Sequence, residues 1–456
     1  MGMSLSATDH KASTTYLQEN QAVADNLLEK LFYAEWLDYT KQPLRGVEFI
    51  ISPACNLGCK YCYLNRYHND LYPSELLQPE IIKQNCLKLL KWLDKHHYRT
   101  HLEIFSGELF AQQLGYDILD IIYEYEKNVD PQWRIFEYTI PTNFTFCNSP
   151  ELEAKVVEYL NKFEELGTPL WLSASFDGIY EECNRPWVRD LDLTIPHTRD
   201  KAYYDRVFEF ILNHASGLHP MVYSQGIERW KENFEWFQTM MEKADMPWEH
   251  LYLLEVRNEE WTPDQIKNLE QFIRDLWAYS YQKCDGDKEK LSYFIHQYTG
   301  FNLLVEPMAR IARGMPCTVQ SDLMIRLGDL KTFPCHRTSY PAFCTGQFVD
   351  DEEEELKFVC ENAELLCAIY GLHHRTFPYC ITCPINHLCS GQCLGACYEA
   401  TRNLFTPIPS VCVVKYAQIK THIEMLIKYD LYQEAWNNAG AEQRIQMDNL
   451  RKDLAL

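Results

Sequence analysis

The chain has 456 residues, of which 46% are apolar and 24% charged, a composition that excludes wholesale disorder and fibrous structure. Its net charge of −22 argues against nucleic acid and anionic membranes as main partners, because both require a cationic surface. No apolar run reaches the ~18 residues of a membrane span. The polar stretch Met1 to Thr15 lacks the hydrophobic core of a signal peptide, so a cytoplasmic protein is expected.

Residues 1–44 read as a helical extension, with one amphipathic helix expected to carry Leu27, Leu28, Leu31 and Phe32 on a face. Residues 45–260 alternate strand and helix. Strands are expected at Val47 to Ser52, Leu102 to Phe105, Phe136 to Ile140, Leu170 to Gly178, His219 to Ser224 and Leu251 to Val256. Helical patterns fall near 79–95, 114–127, 150–166, 201–215 and 230–243. Short strands alternating with helices are the pattern of βαβ units on a parallel sheet, and six units can close partly into a barrel. Such folds carry their sites on the loops after the strands. Here those loops hold Ser106-Gly107-Glu108, Pro141-Thr142-Asn143 and Ser175-Phe176-Asp177-Gly178. Residues 261–316 read as a helical linker opening with Pro263 to Gln282, and 413–456 as a helical segment. The acidic run Asp350 to Glu355 reads as a solvated loop.

The 18 cysteines carry the chemistry. A large chain in a reducing compartment does not need them as disulfides, so metal or redox roles come first. Cys86, Cys147, Cys183, Cys284, Cys344, Cys360 and Cys367 are scattered and read as small buried hydrophobes. Cys55, Cys59 and Cys62, with gaps of three and two after the first strand, suit three irons of one [4Fe–4S] cluster. Such clusters normally take four thiolates. Three leave one iron open to a small molecule. Zinc would want a fourth ligand, for which His68 is the nearest candidate.

Cys55-x3-Cys59-x-Tyr61-Cys62 resembles the signature of the radical S-adenosylmethionine (radical SAM) superfamily, including the aromatic residue before the last cysteine. The resemblance implies a partial (β/α)6 TIM-type barrel. It also implies that the open iron chelates SAM, and that reductive cleavage of SAM gives a 5′-deoxyadenosyl radical that takes a substrate hydrogen. Ser106-Gly107-Glu108 stands where the family has Gly-Gly-Glu, with Leu109 in place of the usual Pro, and would meet the SAM amino group. Ser175 resembles the family's fourth-strand Ser. Arg185 is a candidate partner for the SAM carboxylate, the alternative being a surface salt bridge. Asn143 and Leu254 are further SAM neighbours by the same resemblance.

Cys380-x2-Cys383-x5-Cys389-x3-Cys393 resembles the central element of SPASM domains, which follow a radical SAM core and hold two auxiliary [4Fe–4S] clusters. The rival is a zinc knuckle from the same thiolates. Cys317-x10-Gly328-x6-Cys335 resembles the upstream part with a local insertion, and Cys412 the closing cysteine, so the resemblance places this domain at 317–412. It assigns Cys380, Cys383, Cys389 and Cys412 to one auxiliary cluster, and Cys317, Cys335 and Cys393 to the other. That second set is one ligand short. Cys344, Cys360 or Cys397 fills the place, or the site is open to substrate.

Three [4Fe–4S] clusters and SAM are thus the expected cofactors. The class mostly modifies peptides, so a ribosomally made precursor peptide is the expected substrate, installed with a crosslink, an oxidation or a backbone excision. Alternatives are maturation of a folded enzyme precursor, as in formylglycine formation in sulfatases, and a non-enzymatic zinc or iron–sulfur interaction protein. An electron donor such as flavodoxin or ferredoxin is implied. Some 45 residues before the first strand are too few for a leader-binding domain, so leader recognition is expected to need a separate protein or another surface. No acid or base is identified; Tyr223, Glu255 and Arg257, near the ends of strands five and six, are candidates to face substrate.

Overall fold

The computed structural model describes residues 46–96, 100–180, 182–218, 220–243, 254–255, 260–299, 322–352, 355–362, 365 and 374–454. The N-terminal helix expected over Leu27 to Phe32 lies outside the described residues, as do Cys317, Cys367 and Arg257.

Strand β1, Gly46–Ser52, is buried at every position, as a strand covered on both faces must be. Four βα units follow: helix α1 (Tyr63–Leu71), α2 (Pro79–Lys95), β2 (His101–Ser106), α3 (Gln113–Glu126), β3 (Glu137–Thr142), α4 (Pro150–Glu165), β4 (Leu170–Ala174), α5 (Lys201–His214) and β5 (Ala215–Leu218). The strands β1 to β5 pair in parallel and in sequence order. The helices start where their sequences cap them. Ser149 accepts the Leu152 N–H ahead of Pro150, at the first turn of α4 where a missing N–H costs nothing. Helices α2 and α3 turn Ile82, Cys86, Leu89 and Leu93, and Ile118, Leu119 and Ile122, into a core shared with Phe49, Ile104 and Ile140 of the sheet. The spacing of three and four residues puts each set on one helix face.

The chain then leaves the main sheet. Strand β6 (Met221–Val222) is followed by α6 (Trp230–Lys243) and β7 (Leu254–Glu255), which pairs with β6 in a separate parallel ribbon. The expected fifth strand at His219 to Ser224 is therefore divided: β5 starts directly at the end of α5, and Met221 pairs with Leu254 instead. The segment 261–316 holds two helices among its described residues, α7 (Pro263–Lys283) and α8 (Lys288–Thr299). Thr262 and Gln265 close a capping box on α7.

The cysteine-rich part is built onto the same sheet. Strand β8 (Asp322–Arg326) pairs in parallel with β1 on the side opposite β2. Strands β9 (Lys331–Phe333), β10 (Gly346–Asp351) and β11 (Glu355–Cys360) continue antiparallel, giving nine strands in all. The acidic run is not a free loop. Asp350 and Asp351 end β10 and Glu355 opens β11, while Lys88 Nζ meets Asp350 at 2.5 Å and Lys91 Nζ meets Glu355 at 3.0 Å, tying the hairpin to α2. Short helices α9 (Pro378–Ile381) and α10 (Leu394–Thr401) precede α11 (Pro409–Lys428), α12 (Tyr432–Asn438) and α13 (Ala441–Asp453). Helix α11 locks onto α7 through the Arg274–Glu424 pair at 2.9 Å and the bond from Trp277 Nε1 to His422 Nδ1 at 2.9 Å.

Candidate functional site

The loop after β1 is held as a shelf at the C-terminal end of the parallel strands. Gly58 N–H donates to Pro186 O at 2.8 Å, Lys60 N–H to Asn184 O at 3.0 Å, and Val188 N–H to Asn56 O at 3.0 Å. Underneath, Asn56 Nδ2 donates to Thr145 Oγ1 at 2.8 Å, and Asn143 Nδ2 reaches Asn56 Oδ1 at 2.9 Å and Cys55 Sγ at 3.7 Å. Leu57 N–H also points at Cys55 Sγ, 3.4 Å away. Burial raises all three thiols above the usual range, Cys59 up to about 11, and their mutual repulsion adds to it at Cys55 and Cys59. Thiols that resist ionisation this way become thiolates when cationic irons compensate the charge, which suits a cluster.

Ser106-Gly107-Glu108 crosses directly behind this loop. Gly107 N–H donates to Ser52 O at 2.8 Å and Glu108 N–H to Ala54 O at 2.9 Å. A Cβ on Gly107 would stand 2.4 Å from the carbonyl oxygens of Pro53 and Ala54, so only glycine allows this approach. The Ser106 hydroxyl donates to Ser52 O at 3.0 Å. The buried Glu108 carboxylate accepts from Asn143 N–H at 2.6 Å, Thr142 Oγ1 at 2.8 Å and Phe110 N–H at 3.2 Å. Burial pushes it up to about 7 despite these donors. Glu108 thus joins the ends of β2 and β3 whatever else it meets. Gln112, which the sequence did not single out, aims Nε2 at Glu108 O (2.7 Å) and Ala54 O (3.1 Å).

On the other side, Tyr61 donates its hydroxyl to Asp177, and its ring lies 5.8 Å from that of Tyr223. Asp177 is buried and pushed up to about 6 by desolvation, with Arg185 opposing. Arg185 is not the surface salt bridge weighed above. It is 2% exposed, meets Glu182 at 3.3 Å, and has its Nε buried with no hydrogen-bond acceptor among the described residues. Its charge also counters burial at Cys59. A buried guanidinium with a spare donor beside the cysteine loop fits a carboxylate ligand. Arg199 takes the other Glu182 oxygen at 3.4 Å and supports Arg185 O at 2.6 Å. Ser175 is exposed after β4. Tyr223 is buried; Leu254 and Glu255 are placed by backbone only, on β7 beside β6.

The C-terminal thiols gather as well. Cys380 feels the charges of Cys383, Cys389 and Cys412 and is pushed up to about 11 by burial and these neighbours. Gly391 N–H points at Cys389 Sγ at 3.3 Å and Gln392 Nε2 at Cys412 Sγ at 3.1 Å. Cys335 Sγ accepts Arg337 N–H at 3.3 Å, and the Arg337 guanidinium feels the charge of Cys393. Arg337 also acts on Cys62, so one half-buried cation lies between the first cysteine loop and the Cys335–Cys393 side. It is held by Glu399 of α10 at 2.5 Å, while its neighbour His336 stacks on Phe105 at 4.4 Å and pairs with Glu48 of β1 at 2.7 Å. None of Glu48, His336, Arg337 or Glu399 stands in a recognisable motif.

Of the three spare thiols, Cys397 feels Cys393, Cys412 and Cys380. Cys344 instead donates to Gly346 O and Glu361, both at 3.4 Å, and Cys360 to Thr345 O at 3.7 Å. Cys86, Cys147 and Cys284 are plain buried thiols, whereas Cys183 is exposed, contrary to the expectation of burial. Among the described residues no three His, Cys, Asp or Glu side chains stand close enough for a single metal ion. One ion draws its thiolates to ~2.3 Å of a single point, whereas a cubane gives each thiolate its own iron.

Residues 49–223 match the family model described as the Radical SAM superfamily. The chain therefore carries a radical SAM domain, which implies an enzyme using SAM radical chemistry with a [4Fe–4S] cluster. No curated protein matches the chain. The structure is similar to the solved structure described as "Native anSMEcpe with bound AdoMet and Cp18Cys peptide", with 15% identity and a TM-score of 0.54 over 86% of this chain and 100% of that one. "Native anSMEcpe with bound AdoMet" aligns likewise, at 16% identity and a TM-score of 0.53, covering 86% of this chain and 100% of that one. At this identity the likeness establishes the fold.

Proposed function

We propose that the protein is a radical SAM enzyme that modifies a ribosomally made precursor peptide, with Cys55, Cys59 and Cys62 holding the SAM-binding cluster. The observation that carries this reading is the three-thiol loop, in which Cys59 and Cys62 act on Cys55 and Cys62 acts on Cys59, with Glu108, Asn143, Asp177 and Arg185 set around it. When bound and reduced, the cluster and SAM together supply the 5′-deoxyadenosyl radical. The chain's part is to hold and orient. Arg185 offers its spare Nε to the SAM carboxylate, and Ser106, Gly107 and Glu108 form the wall that faces the amino group. Tyr61, fixed by Asp177, sets the ring beside the last cysteine, and Ser175 stands open to the ribose side. Burial of Tyr223 and Asp177 keeps bulk water from the radical's neighbourhood.

Two auxiliary clusters complete the reading, one on Cys380, Cys383, Cys389 and Cys412, the other on Cys335 and Cys393 with Cys317. An electron donor of the flavodoxin or ferredoxin kind, a separate leader-recognition protein and a cytoplasmic setting go with it. The second reading is maturation of a folded enzyme precursor; the neighbour of like fold binds the Cp18Cys peptide, a ligand compatible with either reading. The test is anaerobic incubation with SAM and dithionite. Wild type should release 5′-deoxyadenosine, and the Cys55→Ala/Cys59→Ala/Cys62→Ala variant should release none while keeping its remaining iron. Undiminished cleavage by the triple variant defeats the assignment. Mass change on a co-expressed short peptide, against none on a folded enzyme precursor, separates the two readings.

A further inference from the structure

Cys335 is followed by a single helical turn, His336–Thr338, which touches two other elements. One is helix α1, which starts directly after Cys62; the other is helix α10, which starts directly after Cys393. Three distant stretches, each beginning at a cysteine, therefore meet at this turn. The His336 ring lies 5.8 Å from that of Tyr63 and stacks on it, and the Arg337 guanidinium lies over the same ring at 5.1 Å. The Arg337 N–H meanwhile donates to Cys335 Sγ at 3.3 Å. Cys62 and Cys335 both pack against one small core that contains Ile50, Phe105 and Met324.

Helix α10 is shaped to hold the cation in this place. Gly395 and Glu399 stand four residues apart and so share one helix face. A Cβ on Gly395 would stand 2.7 Å from Arg337 Cγ and 2.9 Å from Arg337 Cβ, so the missing side chain is what lets the Arg337 stem lie against the helix. One turn on, the Glu399 carboxylate accepts from both arms of the fork, Nε at 2.8 Å and Nη2 at 2.5 Å. A bidentate pair fixes a guanidinium in direction as well as in place. The charge is half-buried and its partner fully buried, so water screens it less than it would a surface arginine.

We propose that Arg337 is a positioning residue shared by the two thiol groups, a fixed counter-charge that raises the reduction potentials of the clusters on both sides together. The inference rests on the reading of Cys55, Cys59 and Cys62, and of Cys335 and Cys393, as cluster ligands. Reduction adds one electron, taken from a low-potential one-electron donor, and makes or breaks no bond; it leaves the thiolate-bound group more negative. A cation held nearby stabilises that state, as does an N–H aimed at a ligand sulfur. Glu399 offsets part of the charge, so the pair sets the size of the effect and α10 sets its position.

The test is an anaerobic redox titration of the reconstituted holoprotein with dithionite, the reduced clusters being followed by electron paramagnetic resonance. Cys55→Ala/Cys59→Ala/Cys62→Ala and Cys335→Ala assign the signals. Arg337→Gln should lower both potentials, changing the oxidised-to-reduced ratio about tenfold at a fixed applied potential, about 59 mV for one electron. Glu399→Gln keeps an oxygen for the fork, leaves the cation uncompensated and should raise both. Opposite signs separate charge from packing, because loosened packing moves both variants the same way. Two variants shifted in one direction, two unshifted variants, or one cluster responding without the other overturns the proposal. If Arg337→Gln does not fold, Glu399→Gln decides alone: a rise in both potentials supports the proposal and unchanged potentials overturn it. Wild type that takes up no iron at Cys335 and Cys393 defeats the functional reading first; full iron with unmoved potentials defeats the role of Arg337 alone.

Discussion

The Tyr61 hydroxyl donates to the Asp177 carboxylate, whose other oxygen accepts the Met221 N–H at 2.9 Å. One buried side chain thereby joins the cysteine loop to strand β6, directly after which comes Tyr223. Asp177→Ala leaves a half-buried phenol and a half-buried N–H without this acceptor, a loss of up to about 1–3 kcal/mol each. The expected outcome is a thermal midpoint lowered by several degrees and 5′-deoxyadenosine formation reduced about tenfold or more. Tyr61→Phe, which removes only the donor, should show the smaller effect in both assays.

Gly107→Ala places a methyl group 2.4 Å from two carbonyl oxygens of the cysteine loop. Backbone cannot give way there without moving Pro53 and Ala54, and Cys55 with them. The variant should fold, since the change is local, yet retain about four irons fewer than wild type after reconstitution. Iron and sulfide assays check this.

Arg337→Met leaves Glu399 charged and buried, which costs about 3–5 kcal/mol. Adding Glu399→Leu removes the stranded charge and should restore most of that loss. The double-mutant cycle by chemical denaturation measures it. A double variant no more stable than Arg337→Met alone would mean that the pair is not coupled.

Glu126 on α3 is buried, accepts the Tyr138 hydroxyl at 2.7 Å, and is pushed up to about 7 by desolvation. A folded-state value above the unfolded one means that the folded state binds the proton more tightly. The stabilisation is present in full below about pH 4.5 and is lost as pH rises through 7. Glu126→Gln keeps an acceptor for Tyr138 and carries no charge. It should flatten the fall in stability between pH 4.5 and 7 and leave the protein more stable at pH 8, by up to about 3 kcal/mol. Urea titrations of both proteins across that range give the answer.

Single alanine variants at Cys344, Cys360 and Cys397 should differ. Cys397, whose thiol donates to Gln392 Oε1 at 3.7 Å, lies in the charge environment of Cys393, whereas the other two thiols donate to Gly346, Glu361 and Thr345. Cys397→Ala is expected to lower iron content by up to one cluster, and the other two to leave it unchanged. Intact iron in all three variants would instead indicate an exchangeable site, which added peptide should perturb spectroscopically.

Much of this architecture is written locally. The apolar run Phe49-Ile50-Ile51 of β1, the three-and-four spacing on α2 and α3, and the Ser149-Pro150 start of α4 each announce their element from a few residues. The spacing of Cys55, Cys59 and Cys62 does the same for the cluster loop. What stayed hidden is set by distant partners. Gln112 matters because Ala54 and Glu108 happen to face it, and Asp177 because Tyr61 and Met221 do. For Arg185 the choice between a SAM contact and a surface salt bridge stayed open in the sequence because the burial of its Glu182–Arg199 network depends on how the loops stack. Strand β5 was misplaced because Ala215-Ser216-Gly217-Leu218 lacks the β-branched and aromatic side chains by which strands are recognised.

The parallel pairing of Gly46 with Asp322 has a consequence for synthesis of the chain. At about 5–20 residues per second, roughly 15–55 s separate the emergence of β1 from that of its outer neighbour. Throughout that interval β1 offers an unpaired edge, largely apolar apart from Glu48 and Ser52, of the kind that templates aggregation. The sheet cannot be finished on the ribosome until the cysteine-rich part has begun to appear. A nascent chain stalled before β8 should therefore be a preferred client of chaperones, and overexpression yields should depend more on the rate of translation through this interval than on the stability of the finished fold.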